Sequence, residues 1–459
     1  TDDGNVQVTR DGGKSWANLA GRVTGVPKGT WVSSVEPGRF AEGTAFVTFD
    51  GHMTGDARTY IYKTTDFGAT WMSLARADMR GYAHVMKQDL VNPDLLFAGT
   101  EFGLYISLDG GTQWGQFTAG LPNVAVRDVA IHPRDHDLIV ATHGRGIYIL
   151  DDVTPLRKLT AQALESDVAF LESRPSPMVN PSQEFGFNGD GEFVGRSPAE
   201  AAVMTYYLKK RHVFGDLKLE VYDPHRTLVA TMPGGKRRGN NRVAWPMRSK
   251  MPRTAPGAGI VPSLFALLGP RAAAGTYTVK MIKGDDAFTS TIALVPDPGS
   301  RHTDADRAAQ FDAARTLYGM VERLAYLVEA IINLRDQAAA VGKALPDKDV
   351  LRPRVQALAD GLEAQSKSLV ASQRGEGISG EEKLREELGL LYGNVNGYEG
   401  KPTQSQLDRL AVLGQLLSEA GAAFDATAAK ELPALNLQLA KKKIGQLSKL
   451  TPEAWARKS

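Results

Sequence analysis

Asp50, Asp56, Glu101 and Asp128, the run His143-Gly144-Arg145 and the later Asp152 are side chains whose types could do chemistry. Two carboxylates held roughly 6.5–9.5 Å apart hydrolyse a glycosidic bond with inversion. Three arginines around a substrate carboxylate, with a tyrosine nucleophile paired to a glutamate, would suit a sialoside. The first third of the chain supplies Arg22, Arg39, Arg58, Arg76, Arg80, Arg127 and Arg134, but no spacing singles out three of them or ranks the acids. His143, Arg145 and Asp152 could form a polar cluster suited to a carboxylate or a sugar. The preferred reading of that run is a tight turn, with Gly144 and Gly146 giving backbone freedom and Arg145 paired to an acid. No catalytic residue is assigned.

The elements that would position these groups are written in a second, regular set of aspartates. TRDGGKSW at 9–16, TTDFGATW at 64–71 and SLDGGTQW at 107–114 share the pattern Ser/Thr-x-Asp-x-Gly-x-x-Trp, headed by Asp11, Asp66 and Asp109. GIYILDD at 146–152 reads as a worn fourth copy ending in Asp152, and Asp66, Asp109 and Asp152 are evenly spaced 43 residues apart. A period of this size predicts β-propeller blades. In each copy the Asp accepts backbone N–H bonds from a hairpin loop, and a Gly supplies positive φ. Trp16, Trp71 and Trp114 then pack between blades. These residues are read as fold devices.

Turn signals place strands at 31–35, 44–50, 60–65 and 70–74, at 82–87, 95–100, 103–108 and 113–117, and at 126–132, 138–142 and 146–150. Residues 5–8 and 15–19 read as the third and fourth strands of a blade. About three and a half blades are therefore expected over 1–153, with the remainder upstream in the same precursor or on another chain.

Residues 154–180 read as a linker. Strands at 201–208, 217–222, 227–231, 241–246, 275–280 and 290–295 predict an immunoglobulin-like β-sandwich within 154–300, with Trp245 and Tyr277 in its core. No acid lies between Asp223 and Asp285, whereas eleven Lys and Arg do. Arg237, Arg238 and Arg242 head a cluster that is either a solvated loop, the preferred reading, or a docking face. The apolar run at 260–268 either covers its own core or meets another chain, with the second slightly favoured. From 301 the apolar period becomes helical. Thr303-x-x-Asp306, Ser379-x-x-Glu382 and Thr403-x-x-Gln406 are capping boxes, and Pro433 is expected to separate helices at 407–429 and 435–450. The 301–459 segment is expected to form an antiparallel helical bundle.

A length of 459 residues implies several domains, and a net charge of +2 makes no demand for nucleic acid. The absence of cysteine excludes disulfides and thiolate metal sites. No apolar run reaches the roughly 20 residues of a membrane span. No metal or cofactor signature appears.

The Asp-box repeats, DLIVATHGRGIYILDD at 137–152 and LLYGNVNGYEGKPTQSQ at 390–406 together resemble large bacterial Asp-box (BNR) repeat propeller proteins. That family resembles the sortilin N-terminal domain and is often labelled BNR-repeat glycosyl hydrolase. The resemblance covers nearly the whole chain and makes it the C-terminal portion of such a protein. It implies an extracytoplasmic location: periplasmic, cell-surface or secreted. The expected function is non-catalytic binding or scaffolding, with propeller and sandwich engaging a peptide, a glycan or a neighbouring subunit in a larger assembly. The alternative is a sialidase- or xyloglucanase-like glycosidase whose acids lie partly upstream.

Overall fold

Short apolar runs separated by Gly, Asp and Pro fold the first third into antiparallel meanders. The structure, a computed structural model, describes residues 1–179, 191, 200–258, 264–373 and 381–457. Strand β1 (Gln7–Val8) pairs with β2 (Ala17–Asn18). Next, β3 (Trp31–Pro37), β4 (Ala45–Gly51), β5 (Asp56–Thr64) and β6 (Met72–Ser73) form a four-stranded sheet in chain order. A second such sheet contains β7 (Ala83–Gln88), β8 (Leu96–Thr100), β9 (Gly103–Ser107) and β10 (Gly115–Phe117). A third has three strands, β11 (Val126–Ile131), β12 (Leu138–Thr142) and β13 (Ile147–Leu150). Phe46–Asp50 are all buried, on both faces of β4. Phe46, Ile61 and Leu74 share a core with Met86, Tyr105 and Trp114, and Phe97 and Leu104 share the next with Val129 and Val140.

The three full repeats fold alike. The hydroxyls of Thr9, Thr64 and Ser107 donate to Oδ1 of Asp11, Asp66 and Asp109 and accept from the N–H of Gly13, Gly68 and Gly111. Each Asp Oδ1 also accepts the N–H four residues on, at 2.8–2.9 Å. Hydroxyls of Ser15 and Thr70 add bonds to Oδ2 that hold the Asp11 and Asp66 carboxyls down at about 2. Gly68 and Gly111 are doubly constrained. Both have positive φ, and a Cβ would meet Leu19 at 2.2 Å or Leu74 at 2.9 Å, the leucine that follows the preceding repeat's Trp.

Two expectations fail here. Trp16 is 59% exposed, with its indole N–H on Gly13 O of its own loop, because among the described residues no sheet covers that side of the β1–β2 pair. Asp152 makes no clasp: its Oδ1 accepts from Thr154 N and its Oδ2 from Arg174 N. Leu150 and Thr154 stand where the motif needs a hydroxyl and a glycine, so the loop cannot close in the same way.

The expected linker is largely structured. It carries α1 (Thr154–Arg157), α2 (Ala161–Glu165), β14 (Val168–Leu171) and β15 (Ser176–Met178). The later strands are β16 (Ala202–Leu208), β17 (Leu217–Tyr222), β18 (Leu228–Pro233), β19 (Gly239–Trp245), β20 (Gly275–Lys283) and β21 (Asp286–Pro296). Sheets of order β14-β16-β19 and β15-β21-β20-β17-β18 enclose one core containing Tyr206, Leu219, Trp245 and Tyr277. Pro177 hides β15 from a propensity reading, but an edge strand tolerates proline.

Among the described residues five helices follow: α3 (Asp304–Ala344), α4 (Arg352–Leu369), α5 (Leu384–Asn396), α6 (Gln404–Lys441) and α7 (Pro452–Ala456). Capping boxes at Thr303 and Thr403 open α3 and α6, while Ser379 of the third expected box lies outside the described residues. Leu324, Val328 and Leu334 of α3, Leu362 of α4, Leu388 of α5 and Leu413 and Phe424 of α6 meet in one core. Pro433 does not separate two helices but sits inside α6. Proline removes one backbone hydrogen bond there, and burial of Leu435 and Leu439 in the common core outweighs that loss. The helix expected to run to 450 ends at Lys441, and Asn436 exchanges two hydrogen bonds with the Leu447 backbone to fold the tail back. Among the described residues, no helix is long and apolar enough to cross a membrane.

Candidate functional site

The starts of β7 and β11 and the β4–β5, β8–β9 and β12–β13 turns lie at one end of the stacked sheets. They bring Asp50, His52, Tyr82, His84, Glu101, Arg127, His143 and Arg145 to a common rim. Asp50, next to last in β4, has its side chain buried, and its Oδ1 accepts from His52 N at 3.0 Å and His52 Nδ1 at 2.6 Å. A carboxylate only accepts, so the ring proton of His52 sits on Nδ1 and Nε2 is the basic nitrogen. Tyr82 stacks on the His52 ring at 4.5 Å and meets His84 edge-on at 4.9 Å.

His84 is buried with Arg127 Nη1 at 3.3 Å from its Nδ1. A guanidinium only donates, so Nδ1 accepts and Nε2 carries the proton. Asp50 Oδ2 lies 3.4 Å from the same Nδ1 without hydrogen-bond alignment. Asp50 Oδ2 and His84 Nε2 are thus two buried polar atoms with no hydrogen bond from the described residues. Burial, and then the charge of Arg127, push His84 down to about 4. Burial, followed by the charge of Glu101, raises Tyr82.

The arrangement can orient an imidazole whose Nε2 accepts a proton or hydrogen bond, beside an exposed guanidinium. The other acids have other duties. Asp56 pairs with Arg58 at 2.8 Å and Tyr60 at 2.7 Å, which holds its carboxyl far below the usual range, and Asp128 accepts its neighbour's N–H. Among the described residues no group of three His, Asp or Glu is arranged to hold a metal.

The less favoured grouping of His143, Arg145 and Asp152 is not formed. His143 and Arg145 occupy the β12–β13 turn, whereas Asp152 bonds Asp137 at the opposite end of that hairpin. Arg145 is exposed and makes no ion pair with the described residues, so its expected acid partner is absent there. Gly144 and Gly146 have the positive φ that the turn reading requires. The basic cluster divides: Arg237, Arg238 and Arg242 are exposed, while Arg248 bonds Asn396 and Arg253 lies over Trp455 at 3.7 Å. Of the 260–268 run, residues 260–263 lie outside the described residues. Its other end turns inward, with Ala266 in the helical core and Leu268 O accepting from Tyr392.

No protein-family profile and no curated protein matches this sequence. Solved structures resemble it in part. A GH74 xyloglucanase from Xanthomonas campestris is 23% identical over 32% of this chain and 24% of its own, with a TM-score of 0.27. YCF48 bound to D1 peptide is 18% identical over 32% and 44%, with a TM-score of 0.25. The extracellular domain of a B. thetaiotaomicron protein described as a one component system is 11% identical over 64% and 34%, with a TM-score of 0.26. This chain spans less than half the length of each of the three.

Sequence reasoning named Asp50, Glu101, Arg127, His143 and Arg145 but missed His52, Tyr82 and His84. A buried strand ending in Asp-Gly-His was the available signal for His52. The pairing with Tyr82 and His84 depends on sheet stacking. The depressed His84 titration gives a testable pH dependence. A histidine whose folded pKa lies below its unfolded value near 6.5 contributes stability fully above pH 6.5. That contribution is lost as pH falls toward 4. Between pH 7 and 4.5 the wild type is expected to lose about 2 kcal/mol more than His84→Gln. Urea melts at the two pH values measure this, and equal losses would refute it.

Proposed function

We propose that this chain is the ligand-binding C-terminal part of a non-catalytic, extracytoplasmic Asp-box propeller protein. Further strands, from the same precursor or another chain, complete the ring, and an immunoglobulin-like sandwich and helical bundle buttress it. The carrying observation is the rim, where Tyr82 stacks on His52, exposed Arg127 reaches His84, and exposed His143 and Arg145 occupy the β12–β13 turn. Cations beside an aromatic face suit a peptide or glycan bearing acidic groups. The glycosidase alternative has less support, since Asp50 is buried against His52 and Asp56 is held by Arg58 and Tyr60. Calorimetry with acidic peptides and uronic-acid oligosaccharides is expected to show binding that Arg127→Ala with Arg145→Ala weakens at least tenfold, by about 1.4 kcal/mol or more. Turnover of a β-glucan or sialoside by the complete polypeptide, abolished by Asp50→Asn or Glu101→Gln, would overturn the non-catalytic reading.

A further inference from the structure

A second surface, remote in sequence from the rim, has its own chemistry. After β16 the chain runs Lys209-Lys210-Arg211-His212-Val213-Phe214-Gly215, and before β19 it runs Lys236-Arg237-Arg238. His212 N donates to Lys236 O at 3.0 Å and Lys236 Nζ to Gly215 O at 2.7 Å, so the two loops form one corner. Val213 is 63% and Phe214 86% exposed, the latter more than any other large hydrophobic side chain among the described residues. A positive φ at Gly215 closes the loop behind them.

Around this tip, Lys210, Arg211, Lys236, Arg237 and Arg238 form no ion pair with the described residues, while Lys209 alone is paired, with Glu165 at 2.7 Å. Asp216 follows the loop, and Asp285 and Asp286 lie on the adjoining β20–β21 turn; none of them forms an ion pair with the described residues. The whole chain has a net charge of only +2, so this concentration is local. A soluble polyanion would neutralise the cations but leave Val213 and Phe214 in water. An anionic bilayer satisfies both, with headgroup charge for the Lys and Arg and the acyl boundary for the two apolar side chains. We propose that this corner docks the protein on an anionic membrane surface, with Val213 and Phe214 inserted below the headgroups.

Co-sedimentation of the 459-residue chain with phosphatidylserine-containing and pure phosphatidylcholine vesicles tests this. Binding is expected only to the anionic vesicles and to fall with added salt. Phe214→Ser is expected to weaken it about tenfold or more, and Arg237→Glu with Arg238→Glu at least as much. All three positions are exposed, so thermal melts of these variants should match the wild type. Heparin binding, measured in parallel, should respond to the charge reversals but not to Phe214→Ser. Equal affinity for the two vesicle types, or vesicle binding indifferent to Phe214→Ser, would overturn the proposal, the second outcome leaving a surface for soluble polyanions.

Discussion

Arg157→Ala is expected to destabilise the stacked β-sheets by about 3–5 kcal/mol, the cost of leaving a buried charge without its partner. Arg157 ends α1 and Asp89 follows β7, and their side chains are 7% and 0% exposed. Arg157 Nε donates to Asp89 Oδ2 at 2.9 Å and Nη2 to Oδ1 at 3.0 Å, a bidentate pair. Asp89 Oδ2 also accepts from Val91 N and Asn92 N, so the same carboxylate shapes the β7–β8 turn. Val153 N donates to His136 O, so α1 bridges the β7–β8 and β11–β12 turns. Arg157→Lys keeps the charge but loses the two-pronged geometry, and should recover only part of the loss. Urea unfolding followed by tryptophan fluorescence reads both variants. A loss below about 1 kcal/mol for Arg157→Ala would mean that water reaches Asp89 and that the pair does not clamp the turns.

This clamp also shows what the sequence could and could not disclose. Local chemistry was legible: Ser/Thr-x-Asp-x-Gly-x-x-Trp yields the same hydrogen bonds three times, and Thr303 and Thr403 begin helices as a capping box requires. Where a local signal competed with packing, packing won. Pro433 stays helical because Leu435 and Leu439 belong to the shared core, and Ser176–Met178 form a strand because β21 offers an edge. The rim was legible only as a set of residue types. His52 and Asp50 are two residues apart, but Tyr82 and His84 reach them through the stacking of β7 against β3 and β4. Asp89 and Arg157 lie 68 residues apart in sequence, and no local spacing could pair them.

Trp114→Ala is expected to cost about 3–5 kcal/mol, the usual loss for truncating a buried aromatic. The same substitution at Trp16 should stay within about 0.5 kcal/mol. Motif and loop are the same at both positions, so the difference isolates what lies beyond the clasp. Trp114 is buried in the core shared with Phe46, Ile61 and Leu74, and its Nε1 donates to Leu74 O at 3.0 Å across to the preceding sheet. Trp71 packs at the margin of the cluster built from Val6, Leu19 and Val47, so Trp71→Ala should fall between the two. Urea melts of the three single variants give the order. Comparable losses at Trp16 and Trp114 would show that the clasp alone, and not the neighbouring sheet, makes the tryptophan count. The proposed completion of the ring adds a stricter comparison. In a polypeptide carrying a further sheet beyond Trp16, Trp16→Ala should become nearly as costly as Trp114→Ala, because the indole would gain the contact that its counterpart already has.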